Sequence, residues 1–349
     1  MRILHVVWGM TRGGLESMLM DICHQQAIDH RVHVLIVNAF YDADFLATLG
    51  RGATYECIER PPGSPNPWYL VKFVAAVRRF RPDIIHAHQL GLAKLVRFVD
   101  VPAIATLHDT RFEATRHLAA FAAIACISKA VEAAISHSYP GTRTLVVYNG
   151  IDLDPIRVRC PCKHSGFRSV QISRLMHEKK GQDLLLTAVQ HVLAARPTCG
   201  ITVDFIGQGP SMTYLAQSAQ DLGIGKAVRF LGELSRQEVY SRLADYDLLV
   251  QPSRYEGFGL TIAEAMAAKV PVLVSDIEGP LEVIDNGRYG TAFKCGDAED
   301  LAAQMIALID GTHDSHVIER VQQASDYARQ AFDIRRTARE YVELYRDLA

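Results

Sequence analysis

The stretch QPSRYEGFGLTIAEAMAAKVPVLVSDIEGP, Gln251–Pro280, decides the fold. It leads from the end of an apolar strand (DLLVQPS) through a glycine-punctuated turn (EGFG) into a helical segment (LTIAEAMAAK). It leaves through a second apolar strand (VPVLVSD). Short β-branched runs separated by a helical pattern are the unit of a parallel sheet covered by helices.

The same stretch carries chemistry. Gly257 and Gly259 let the backbone approach a ligand with no Cβ in the way. A helix opening at Leu260 presents unpaired N–H groups and the positive end of its dipole, which attract an anion. Glu264, four residues on, shares a face with Leu260, and Glu256 sits in the turn ahead. Carboxylates beside an anion-binding helix end repel the anion but accept well from hydroxyls flanking it. An ordinary strand-to-helix junction with two solvated glutamates is the bland alternative; the whole constellation weighs for a site.

The stretch resembles the E-x7-E signature of retaining glycosyltransferases of the GT-B fold, in particular family 4, and the match extends into EAMAAKVPVLVSD. The resemblance implies that Glu256 contacts the donor sugar and Glu264 holds the ribose hydroxyls. The N–H groups of Gly257, Phe258, Gly259 and Leu260 would then bind the distal phosphate.

At 349 residues the chain is long enough for two domains with separate cores. Its 49% apolar and 22% charged residues are typical of a soluble globular protein. Without an apolar run of transmembrane length, no membrane-spanning helix is expected, and MRILHVVWGM reads as a buried first strand rather than a signal peptide. Seven scattered cysteines read as reduced cytosolic thiols, and Cys160-Pro-Cys162 as part of a linker. The net charge of −2 gives no hint of nucleic acid. Residues 1–160 carry 17 basic and 14 acidic side chains, against 20 and 25 in the remainder. A modestly basic first half suits an anionic surface or acceptor.

Taken in order, ILHVVWG, HRVHVLIVN, PDIIHAH, VPAIATLH, AAIACIS and TLVVYNG read as strands with helices between, and a fresh cycle runs from RSVQISRL through TVDFIGQG, AVRFLG and DLLVQPS to VPVLVSD. The expected fold is α/β: two facing Rossmann-like, doubly wound domains whose strand ends share one ligand cleft. The boundaries are 1–158 for the acceptor-side domain and 159–332 for the donor domain. The amphipathic C-terminal helix, residues 333–349, crosses back to the first domain by resemblance to GT-B.

Other motifs fall at strand ends. Gly13 and Gly14 with Glu16 resemble the family's GG-x-E loop near the donor phosphate; a tight turn is the plain alternative. His108 ends a buried strand and matches the family's T-x-H-D histidine, which implies a role in orienting the transferred sugar. His86 and His88 have the spacing of a metal pair, but no third ligand is evident. Arg174 and Lys180 match R-x5-K-G, and a departing diphosphate needs such cations. By resemblance, the loops at Gly207, Gly209 and Leu231 lie near the nucleotide, and Asn149–Asp152 is a structural turn. Asp42/Asp44, Asp152/Asp154 and Asp245/Asp247 imitate a metal-binding D-x-D, yet none adjoins the expected phosphate site. No metal or other cofactor is therefore expected. Trp68–Pro82 reads either as a core-packing helix with a basic outer face or as a contact with an anionic membrane.

The expected function is transfer of a sugar from a nucleoside-diphosphate sugar, UDP being the common family choice, to a carbohydrate or lipid-linked acceptor hydroxyl. Localisation would be cytoplasmic, with peripheral contact on the inner membrane face. A nucleotide-sugar epimerase or hydrolase, and a non-catalytic nucleotide-sugar-binding protein, stay open as alternatives.

Overall fold

The computed structural model describes the chain apart from residues 12, 51, 161–165 and 312–313, so Cys162 of the connector lies outside the described residues. Two compact units result: Met1–Ile151 with Phe332–Ala349, and Asp152–Ala331. Residues 152–158, expected in the first domain, belong to the second unit. Arg157 explains why: it donates to the Ser241 carbonyl at 2.7 Å and pairs with Asp245, while Arg159 pairs with Asp247.

The first unit holds seven strands, β1 (Arg2–Val7), β2 (Arg31–Asn38), β3 (Ala53–Arg60), β4 (Ile84–Ala87), β5 (Ala103–Leu107), β6 (Ala123–Cys126) and β7 (Thr144–Val146). All pair in parallel, in the order β3-β2-β1-β4-β5-β6-β7. The central strands β4 and β5 are buried at every residue, as apolar runs covered on both faces must be.

The helix Ile334–Arg346 packs on the helix Gly14–Gln26 within this unit. Its apolar stripe buries Ile334, Tyr341, Val342 and Tyr345 in one cluster with Ile3, Ile84 and Ile104. Asp333 caps it, accepting from the Arg335 N–H at 2.7 Å. A Cβ at Gly150 would stand 2.6 Å from the Ile334 Cα, so the Asn149–Asp152 turn needs its glycine to pass beneath this helix.

The second unit holds β8 (Phe167–Ile172), β9 (Ile201–Ile206), β10 (Val228–Gly232), β11 (Leu248–Gln251), β12 (Val272–Ser275) and β13 (Thr291–Phe293). They also run parallel, ordered β10-β9-β8-β11-β12-β13. One apolar core gathers Leu185, Val189, Phe205, Val250, Leu273 and Met305 between this sheet and its helices. Both sheets are doubly wound, as the GT-B fold requires.

Among the described residues, no helix is long and apolar enough to cross a membrane. The helix Trp68–Phe80 buries Phe73, Ala76 and Val77 and leaves Trp68 and Val71 more than half exposed.

Candidate functional site

A doubly wound sheet binds ligands outside the carboxyl ends of its strands, where the strand order reverses. In the second unit that reversal lies between β8 and β11. The loop after β8 carries Arg174 and Lys180; the loop after β11 carries Glu256. Lys180 Nζ pairs with Glu256 Oε2, and both side chains are more than four-fifths shielded from solvent. Ser253 Oγ and Gln251 Nε2 donate to the same oxygen at 3.4 and 3.5 Å. Arg174 is exposed, and its guanidinium has no partner among the described residues.

A second set of bonds holds the two loops in register. Both guanidinium nitrogens of Arg254 donate to the Asp183 carboxylate, at 2.9 and 2.8 Å, and Nη1 also reaches the His177 carbonyl at 2.6 Å. Hydrogen bonding to Asp183 pushes the Arg254 guanidinium above its ordinary value. The Arg254 N–H donates to the Lys179 carbonyl at 2.9 Å. Gly181, at φ +66°, lies so close that a Cβ would come within 1.9 Å of the Pro252 carbonyl oxygen. Gln171 and Gln182 donate to the carbonyls of Lys180 and Arg174 at 2.8 and 3.1 Å.

The helix Leu260–Ala267 begins after Gly259, whose φ of +105° suits glycine. Glu264 is 9% exposed and accepts from the Tyr240 hydroxyl at 2.9 Å. Tyr240 in turn accepts from Arg236 Nε at 2.7 Å. Burial and the neighbouring Glu264 push the Tyr240 phenol up, so it stays a donor at neutral pH. A reciprocal cap between Ser235 and Glu238 fixes the start of the helix bearing Arg236 and Tyr240.

Gly207 and Gly209 follow β9 and press on the loop after β8: a Cβ on them would reach the carbonyl oxygens of Ser173 at 2.1 Å and Leu175 at 2.2 Å. Leu231 is the unpaired residue of a bulge between Phe230 and Gly232, a device that re-aims a strand end near a site.

In the first unit, Gly13 is extended and caps the helix beginning at Gly14; a Cβ on Gly13 would meet Glu16 Oε2 at 2.4 Å. Burial raises the Glu16 carboxyl. His108 follows β5, and its Nε2 is shielded without a partner. Burial lowers His108 to about 4, so the ring is neutral at pH 7.

The expectation that His86 and His88 lack a third ligand is corrected: one ring nitrogen of His5, on β1, lies within 4.8 Å of one on each of them. Five of the six ring nitrogens are bound up in hydrogen bonds, His5 to His88 Nε2 at 3.0 Å and to Gln26 at 2.8 Å, and His86 to Tyr345 and Thr106 at 2.6 Å each, leaving His88 Nδ1 without a partner among the described residues. The trio ties β1 and β4 to the C-terminal helix.

Residues 163–331 match the family described as Glycosyl transferases group 1, and residues 12–155 match that described as Glycosyltransferase Family 4. The chain belongs to glycosyltransferase family 4. It is 30% identical to the glycogen synthase of Mycobacterium tuberculosis over 69% of its own length and 63% of that protein. It is 28% identical to the phosphatidyl-myo-inositol mannosyltransferase of Propionibacterium freudenreichii over 66% and 63%. The matches thus span less than two thirds of these relatives. Among solved structures, Anabaena Alr3699/HepE in complex with UDP and glucose superposes with a TM-score of 0.83, at 22% identity and full coverage of both chains.

In this family 4 chain the three D-x-D pairs serve local structure. Asp42 accepts from the Phe45 N–H at 3.0 Å, Asp152 from the Asp154 N–H at 3.3 Å, and Asp245 and Asp247 hold Arg157 and Arg159. Sequence reading missed Arg236, Tyr240, Ser253 and the Asp183–Arg254 pair. Tyr240, Asp183 and Arg254 reach the site through a partner on another loop or helix, at a spacing that follows no motif, whereas Arg236 acts through Tyr240 on its own helix and Ser253 stands three residues before Glu256 in the same loop.

Proposed function

We propose that the protein transfers a sugar, with retention of anomeric configuration, from a nucleoside-diphosphate sugar to an acceptor hydroxyl. The observation that carries this is the meeting of Lys180 and Glu256 at the reversal point of the second sheet, with Arg174 unpaired on the same loop. Charge develops on the departing diphosphate, so the stabilising groups must be cations and N–H donors fixed before the reaction begins. Arg174, Lys180 and the amides from Gly257 to Leu260 fill that need. We propose on that basis that the reaction requires no metal.

Lys180 Nζ is paired with Glu256 Oε2. Donor binding exchanges that partner for a phosphate oxygen and turns the Glu256 carboxylate to a sugar hydroxyl. Glu264, already oriented by Tyr240, accepts from the ribose. The family resemblance gives His108 the role of orienting the sugar, and its neutral ring at pH 7 suits a hydrogen-bonding partner.

UDP is the nucleotide we propose for the donor, as in the ligand named for Alr3699/HepE. The acceptor is a carbohydrate or lipid-linked glycan, consistent with relatives named for glycogen and phosphatidylinositol chemistry. Peripheral membrane contact from the cytoplasmic side belongs to the same reading: Trp68, Val71, Lys72, Arg78 and Arg79 share an exposed helix face. Incubation with UDP-sugars and an acceptor panel tests the transfer. Release of UDP coupled to acceptor glycosylation supports it; donor binding without turnover against the panel sinks it.

A further inference from the structure

The first sheet has a reversal point of its own, between β1 and β4. We propose that it is a binding site for a carbohydrate bearing an anionic group, held by Trp8 and Arg60. This rests on the reading of the chain as a sugar transferase and names the class of its acceptor.

Trp8 follows β1 directly, and its N–H donates to Gln89 Oε1, in the loop after β4, at 3.4 Å. The half-buried indole offers a flat apolar surface suited to the C–H face of a sugar ring. Its Nε1–H has no acceptor among the described residues. Gly91 lies beside that edge: a Cβ there would stand 3.4 Å from Nε1, in ordinary contact.

Arg60 closes β3, its guanidinium carbon 5.6 Å from the Trp8 ring centroid. Nη1 donates to Asn38 Oδ1 at 3.0 Å and Nη2 to the Ser64 carbonyl at 2.5 Å. All these partners are neutral. Arg79, Arg157, Arg159, Arg196, Arg229 and Arg254 each meet a carboxylate. Arg60 meets none among the described residues, and the adjacent Glu59 accepts instead from the Tyr41 hydroxyl at 2.5 Å. A guanidinium held in place without a counter-ion is prepared for a planar or tetrahedral oxyanion. The same strand ends carry two shielded ring nitrogens without partners, His88 Nδ1 after β4 and His108 Nε2 after β5.

The chain has two tryptophans, so Trp68→Phe leaves Trp8 as its sole indole reporter. In that background, emission is titrated with glucose, glucuronate and glucose 6-phosphate. A saturable change with either charged sugar is expected, the better of the two telling carboxylate from phosphate. Arg60→Gln should weaken that binding by about tenfold and leave glucose unaffected. Equal affinity for glucose and both charged sugars, no saturable change, or an unaltered Arg60→Gln titration overturns the proposal. A UDP-induced rise in melting temperature, measured on the same samples, reports the second unit separately. Its loss counts against the transferase reading, and its presence in Arg60→Gln shows that the variant is folded.

Discussion

The Tyr240 hydroxyl donates to Glu264 Oε1 at 2.9 Å, joining two helices whose sequence positions give no hint of contact. Tyr240→Phe removes one donor from a buried carboxylate. The expected cost is about 1–3 kcal/mol of stability, measured by denaturant unfolding. If Glu264 holds the ribose, KM for the donor should rise several-fold while kcat changes little. A loss confined to kcat would contradict that role.

Asp183 and Arg254 clamp the loops that carry Lys180 and Glu256. A double-mutant cycle of Asp183→Asn and Arg254→Gln should show coupling of about 1–2 kcal/mol in stability, because the pair is bidentate and only partly exposed. Turnover should fall in both single variants. Additive stability effects with wild-type turnover would show the clamp to be incidental.

The sheets were legible in the sequence because parallel strands buried on both faces read as unbroken apolar runs. Eleven of the thirteen strands fall on runs picked out that way. The exceptions have physical reasons. β3, ATYECIER, is an edge strand with a largely exposed face, and β13 lies in GTAFKCG, which holds no unbroken apolar run like the TLVVY that marks the equally short β7. Glu256, Glu264, Arg174 and Lys180 were visible because they sit at fixed offsets in the two segments that follow β8 and β11, Glu264 inside the helix Leu260–Ala267. Arg254, Tyr240 and His5 were not, since tertiary contacts give them their partners.

Gly181→Ala should destabilise the second unit by about 3 kcal/mol or more, from a strained left-handed backbone and a collision with the Pro252 carbonyl. Thermal unfolding checks this. A variant as stable as the parent would show that the two loops can separate freely.

The buried histidines make the first unit acid-sensitive. Burial lowers His5 and His108 to about 4 and holds His86 and His88 well below their ordinary value. The unfolded chain therefore binds more protons than the folded one below about pH 6.5, and stability must fall from there down through pH 4. The slope approaches about 1.4 kcal/mol per pH unit for each histidine involved. Urea midpoints measured between pH 7 and pH 4 should drop steeply, and His5→Gln should flatten the curve. An identical slope in that variant would remove His5 from the effect.

The most direct measurement of the central claim is turnover of a UDP-sugar by Lys180→Ala and Glu256→Gln beside the parent protein, with melting temperature as the check on folding. Turnover should fall by two or more orders of magnitude, as when preorganised charge stabilisation is removed, in proteins that still unfold cooperatively. Near-parental rates in either variant would mean that the paired lysine and glutamate at the β8–β11 reversal are not where the diphosphate leaves.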